Sequence, residues 1–224
     1  MKDHLFQIQH ELVMVGQRMY ERNYIASNDG NISARLDKNR VVITPSGVSK
    51  GFIKPEEMVV VDMEGTVQNG NKKPSSELLL HLQMYKNRPD VNSVCHAHPV
   101  YATAFAVARI PLDKYVLPEV IIALGKIPLV EYGTPGTEEL YKSILKKIKQ
   151  YDGFLLANHG VLTLGKNIVS AYHKLETIEH FAQIAFISQQ LGPMSVLDKK
   201  QVKKLFNQRQ KFGIRKDIGD SNID

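Results

Sequence analysis

The sequence predicts an α/β fold, a single domain of α/β/α layers, on three observations. A chain of 224 residues with 43% hydrophobic content can bury one sizeable core and is short for two full domains. Its short β-rich runs are grouped in the middle of the chain. Segments of helical periodicity stand on either side of them, and strands between helices stack as layers around one core.

The elements follow in order. From Leu5 to Tyr24 the apolar residues Leu5, Ile8, Leu12, Val15 and Met19 recur at the three-and-four spacing of an amphipathic helix, which the polar break SNDGN (27–31) ends. The runs RVVITP and MVVVD read as strands separated by Pro and Gly turns. KPSSELLLHLQMYKNRPD has Pro and Ser at its head, an apolar stripe, and Pro89 just past its end, the start and stop signals of a helix. A strand carrying His96 and His98 comes next, then a helix from about Val100 to Arg109 and a Pro-rich connection from Ile110 to Gly136. TEELYKSILKKIKQY places glutamates in its first turn and lysines toward its end, as the helix dipole favours. GFLLANHG and VLTLG read as strands, NIVSAYHKLETIEHFAQIAFISQQL as a long helix, and a lysine-rich helix closes the fold. The domain is expected over residues 1–215, with 216–224 a polar, mobile tail.

Bulk properties narrow the function. The formal charge of +6 and pI near 9.2 favour anionic partners. Much of the excess sits in KSILKKIKQ and DKKQVKKLFNQRQK, where lysines alternate with apolar residues as on a solvated helix face. No aromatic-studded basic groove accompanies them, so no nucleic-acid partner is expected. No run approaches the roughly 18 apolar residues of a membrane-spanning helix. The start of the chain is amphipathic rather than a cleavable apolar block, and a cytoplasmic protein with no membrane partner is expected. Cys95, the single cysteine, has no internal disulfide partner and reads as a small buried hydrophobe.

The chemistry-bearing stretch is VNSVCHAHPVYATAFAVA. Alternate strand residues share a face, so His96 and His98 lie about 6.6 Å apart on one side, where two imidazoles can converge on an ion. ANHG adds His159 at the end of another apolar strand, beside a glycine that permits close approach. With Glu77 of KPSSE as the nearby carboxylate, three histidines make a catalytic zinc set that leaves room for a substrate oxygen. Glu77 is also expected in the first turn of a helix, where the dipole stabilises it by about 0.3–1 kcal/mol. Ser75 and Ser76 at that helix N-terminus offer hydroxyls and free N–H groups to a phosphate. Asn31 of NDGNIS and Ser46 and Gly47 of TPSG lie in turns able to complete such a site.

In this order SNDGNIS, ITPSG, KPSSE, HAH and NHG resemble the class II aldolase/adducin family, over roughly residues 5 to 190. The resemblance implies a layered domain with a largely antiparallel central sheet. It further implies a homotetramer with active sites at subunit interfaces, and one zinc per subunit. His96, His98 and His159 would bind zinc, and Glu77 would be a fourth ligand that becomes the general acid/base when substrate displaces it. Asn31, Ser46, Gly47, Ser75 and Ser76 would hold the substrate phosphate. The implied reaction is cleavage of a ketose 1-phosphate, L-fuculose 1-phosphate-like, to dihydroxyacetone phosphate and an aldehyde through an enediolate.

The chain departs from the family's aldolases at two tyrosines. Glu119 stands where they carry a proton-donating tyrosine delivered from a neighbouring subunit, and Phe212 where a second lies near the chain end. Glu119 is therefore expected to shuttle the proton, with Tyr115 or Tyr132 the next candidates. Alternatives within the family are a sugar-phosphate epimerase, a methylthioribulose-1-phosphate dehydratase and a non-enzymatic adducin-like module. Family epimerases carry aspartate in place of Glu77, dehydratases have a glutamate near Glu119, and the adducin branch lacks the histidines.

Overall fold

The computed structural model describes residues 2–214; the tail expected over 216–224 lies outside them. The apolar stripe of the first segment forms α1 (Lys2–Glu21), which buries Ile8, Leu12, Val15 and Met19. There follow β1 (Asn31–Arg35), β2 (Arg40–Ile43), β3 (Val59–Asp62), β4 (Val67–Asn69), α2 (Leu78–Asn87), β5 (Ser93–Ala97) and α3 (Val100–Val107). The second half adds α4 (Pro118–Ala123), β6 (Leu129–Val130), α5 (Glu139–Leu145), β7 (Gly153–Leu156), β8 (Gly160–Gly165), α6 (Ile168–Leu191) and α7 (Lys199–Gln208).

The eight strands among the described residues join one sheet in the order β4-β3-β2-β1-β5-β8-β7-β6. Alternating side chains divide the core between its faces. Cys95 and Ala97 of β5 face Leu12 of α1, Phe105 of α3 and Leu175 of α6 in one apolar cluster. Val94 of β5, with Val41 and Ile43 of β2, packs with Leu80 and Met84 of α2 and Ile144 of α5 in the other. The α/β/α layering predicted from the sequence is present. The sheet itself is mixed: β6 pairs with β7 in parallel, while the other pairings are antiparallel.

Several elements differ from the sequence reading. NISAR, with residues 31–33 read as part of a turn, is β1, hydrogen-bonded to both β2 and β5 at the centre of the sheet. Its Asn, Ser and Ala have little strand preference, and pairing on both sides imposes the extended form. The connection from Ile110 to Gly136 contains α4 and β6, and the exposed β4 forms one sheet edge. α5 ends at Leu145, and Lys146–Gln150 continues as turns rather than helix. α2 begins only at Leu78, so Ser75 and Ser76 precede it and Glu77 is its N-cap residue rather than part of its first turn.

Candidate metal centre

The centre lies where β1, β5 and the β7–β8 turn meet. His96 is in β5, directly opposite Asn31 of β1 and Leu162 of β8. His98 follows the strand and is held by its N–H to the Tyr24 carbonyl at 2.9 Å, before Pro99 opens α3. His159 is in the tight turn between β7 and β8, not at a strand end as expected; Asn158 takes φ 55° there, and the His159 N–H reaches the Leu156 carbonyl at 3.0 Å. A Cβ on Gly160 would fall 2.4 Å from the Ala97 oxygen and 2.6 Å from His98 Cδ2, so only glycine lets the turn close onto His98.

Glu77 faces this cluster. Its side chain makes no helix-capping hydrogen bond and is 7% exposed. Oε2 stands 3.1 Å from His96 Nε2, and Oε1 stands 3.2 Å from His159 Nε2. His98 Nε2 lies 3.1 Å from His96 Nε2, and one ligand atom from each histidine falls within 4.8 Å of the others. His96 Nδ1 donates to the Val161 carbonyl at 2.9 Å, which leaves the Nε2 lone pair aimed inward. His98 Nδ1 faces Asp29 Oδ2 at 3.6 Å.

The electrostatics fit a cation. Burial, then repulsion from His159 and His98, holds His96 well below the usual histidine range. Burial also lowers His159, against the opposing pull of Glu77. His96 and His159 are thus neutral at physiological pH, and Glu77 is a buried carboxylate beside them whose Oε1 has no hydrogen-bond partner. Neutral imidazoles and a carboxylate are the donors a divalent zinc-type ion takes, and such an ion supplies the charge that Glu77 lacks.

Of the residues predicted to bind phosphate, Ser46 and Gly47 are set beside Ser75 and Ser76 by a bridge between Pro45 and Pro74. Ser46 N–H donates to the Lys73 carbonyl and Ser75 N–H to the Thr44 carbonyl. Ser46, Gly47 and Ser76 are exposed, and Gly47 takes φ 72° with open space where a side chain would stand. Ser75 is buried, and its hydroxyl accepts from the Glu77 N–H at 3.2 Å. Asn31 donates from its side-chain amide to Glu77 Oε2 at 2.8 Å. The metal and phosphate candidates therefore adjoin through Asn31 and Glu77.

Glu119 does not join them within one chain. It is exposed in the first turn of α4 and has no hydrogen-bond or ion-pair partner among the described residues. Tyr132 and Phe212 are 52% and 61% exposed, and Tyr115 packs edge-on against Phe206. The sequence reading missed His81, Ser33, Tyr85 and Lys50, all buried. His81 touches Asn31, and Lys50 Nζ donates to the Asn28 carbonyl at 2.6 Å. One signal was available for His81: it follows Glu77 by four residues, one helical turn.

Fold and site together define a layered α/β protein with a three-histidine, one-carboxylate centre on its central strands. The Class II Aldolase and Adducin N-terminal domain model matches residues 10–186, and the chain belongs to this family; with it goes the reaction class, a class II lyase. An L-fuculose phosphate aldolase of Methanococcus maripaludis is 39% identical over 181 residues, 81% of this chain and 97% of the relative. A 3-oxo-tetronate 4-phosphate decarboxylase of Haemophilus influenzae is 36% identical over 80% of this chain and 86% of its own length. A solved L-fuculose 1-phosphate aldolase superimposes with TM-score 0.84 at 32% identity, over 93% of this chain and 97% of that one.

Proposed function

We propose that this protein is a zinc-dependent aldolase that cleaves a ketose 1-phosphate, of the L-fuculose 1-phosphate type, to dihydroxyacetone phosphate and an aldehyde. The observation that carries the reading is the buried Glu77 carboxylate, with one oxygen lacking a hydrogen-bond partner, set against the converging nitrogens of His96, His98 and His159. Zinc held by these four residues, one per subunit, would supply a Lewis acid for the negative charge of the enediolate. Asn31, Ser46, Gly47, Ser75 and Ser76 hold the phosphate and so fix the three-carbon unit that becomes dihydroxyacetone phosphate. A base removes the proton of the C4 hydroxyl, the C3–C4 bond breaks with its electron pair entering the enediolate, and Glu77, having taken a proton from solvent, delivers it to C3. Glu119 of a neighbouring subunit serves the C4 hydroxyl.

That last role requires an assembly, and we propose a homotetramer with active sites at its interfaces. Exposed apolar side chains support it, Leu191 at 85%, Phe52 at 72% and Val100 at 62% among them. Residues 1–215 form the catalytic domain in this reading, the protein is cytoplasmic, and its partners are phosphorylated sugars rather than nucleic acid or membrane. No described helix is long and apolar enough to cross a membrane.

A second reading is favoured by the residues at the two tyrosine positions, Glu119 and Phe212. Loss of carbon dioxide from a 3-oxo acid phosphate leaves the same enediolate with no hydroxyl proton to remove, so it needs neither tyrosine. The test is to supply zinc-loaded protein with a panel of ketose 1-phosphates and with 3-oxo-tetronate 4-phosphate, and to follow dihydroxyacetone phosphate with a coupled assay. Turnover of a ketose phosphate supports the aldolase. Turnover of the oxo acid alone overturns it in favour of the decarboxylase.

A further inference from the structure

A chain of buried hydrogen bonds runs from α2 to the centre, and its direction follows from one end. Glu77 Oε2 is a carboxylate oxygen and can only accept, so the Asn31 atom 2.8 Å from it is the N–H donor. The Asn31 oxygen must then accept, and its partner at 2.5 Å is His81 Nε2, which therefore carries the ring proton. His81 Nδ1 is left with its lone pair and accepts from the Ser33 hydroxyl at 2.6 Å. Having given its proton, Ser33 accepts from the Tyr85 hydroxyl at 2.7 Å. His81 has no exposed surface, Ser33 none, and Tyr85 is 1% exposed. Burial pushes His81 down to about 4, so the ring is neutral, as a residue donating at one nitrogen and accepting at the other must be.

We infer that His81 is a positioning residue: as its neutral Nε2–H tautomer it holds the Asn31 amide with nitrogen toward Glu77 and the phosphate, and with oxygen turned away. The inference rests on the proposed function for its anion and on the hydrogen-bond chain for its direction. Asn31 has two amide N–H bonds, and Glu77 uses one. The second is available to a phosphate oxygen. A flipped amide would set its carbonyl oxygen against both the Glu77 carboxylate and the anion, two repulsions in place of two hydrogen bonds. His81 therefore determines whether the site attracts or repels phosphate, although it lies one residue behind the surface that phosphate would touch.

The experiment has two parts. Histidine-selective 15N labelling of the wild-type protein, read by long-range 1H–15N correlation without substrate, should show His81 as the Nε2–H tautomer. Calorimetric titration of the zinc-loaded protein with inorganic phosphate should then show His81→Leu binding about 10–100-fold more weakly, the loss expected for one hydrogen bond to a charged group. His81→Gln, which keeps a donor and an acceptor at this site, should recover most of that affinity. Zinc content should be unchanged in both variants, because the metal-facing side chains are intact. An Nδ1–H tautomer would overturn the inference whether or not either variant folds. So would equal losses in the Leu and Gln variants, or no loss in either. A wild-type protein that binds no phosphate would overturn the functional reading and the anion half of this one, while the tautomer signal would still decide the direction of the chain.

Discussion

Glu77→Gln should stabilise the metal-free protein while weakening its response to zinc. In the wild-type chain without metal the Glu77 side chain is 7% exposed, its carboxylate accepts one hydrogen bond from Asn31, and Oε1 has no hydrogen-bond partner. Leaving a buried acceptor unsatisfied costs about 1–3 kcal/mol, and more when it is charged, so about 1–3 kcal/mol is a lower range here. Glutamine removes the charge, keeps an oxygen for Asn31 and offers an N–H to the neutral His159 nitrogen, so that penalty should be relieved. For a chain of this size, each kcal/mol moves the thermal midpoint by about 2–4 °C, so the metal-free variant should melt about 2–12 °C higher. With zinc the comparison changes. Loss of an ionised ligand that weakens zinc 10–100-fold removes about 1.4–2.7 kcal/mol of ligand-linked stability at saturating metal. The assay is thermal denaturation of both proteins at pH 8 and one protein concentration, after chelator dialysis and again with excess zinc. A metal-free variant less stable than wild type would show that Glu77 is already satisfied. Equal zinc-induced shifts in the two proteins would show that Glu77 does not meet the metal.

Further outcomes are expected. Elemental analysis of the wild-type protein should find about one zinc per chain, and His96→Ala should lose it, since His96 is buried between His98 and Glu77; retention of full zinc would place the metal elsewhere. His81 is depressed by burial in the folded state to about 4, with Glu77 and His96 the titratable groups interacting with it. Its contribution to stability is therefore complete above pH 6.5 and is lost as pH falls toward 4, at about 1.4 kcal/mol per pH unit, because the unfolded chain takes a proton that the native ring refuses. In zinc-loaded protein the stability gap between wild type and His81→Gln should narrow by about 2 kcal/mol from pH 6.5 to 5; a gap constant across that range would sink the assignment of a neutral ring. Ser76→Ala should raise KM for a phosphorylated ketose with little change in stability, because Ser76 is exposed beside Ser46 and Gly47; an equal rise for a non-phosphorylated analogue would remove Ser76 from the anion site. Glu119→Gln should slow carbon–carbon cleavage while sparing proton exchange at dihydroxyacetone phosphate, followed by NMR in deuterated water; unchanged cleavage would make Glu119 a bystander.

The donors of the centre were legible before any fold was known. His96 and His98 at strand spacing, His159 beside a glycine, and Glu77 after two serines are chemical types whose clustering has few other uses. The long elements were legible too, because α1 and α6 repeat their apolar residues over several turns and β2, β3, β7 and β8 are short apolar runs. β1 was not, since its polar residues are extended only by the strands on either side, and neither was the two-residue β6.

Composition and periodicity are local, and they determined which side chains the protein has for chemistry and where its longer helices and apolar strands run. Tertiary structure decided how those side chains meet. Residues 77, 96, 98 and 159 converge because β5 pairs between β1 and β8 and the β7–β8 turn closes over Gly160. The same packing turned Glu77 from a helix dipole partner into a buried carboxylate, and enlisted His81, silent in the sequence, behind Asn31. Glu119 shows the converse: its sequence position suggested a site residue, yet within one chain it stays on the surface. The physical reason is that propensity acts over a few neighbouring residues, whereas burial, hydrogen-bond direction and ligand geometry are set between residues tens of positions apart.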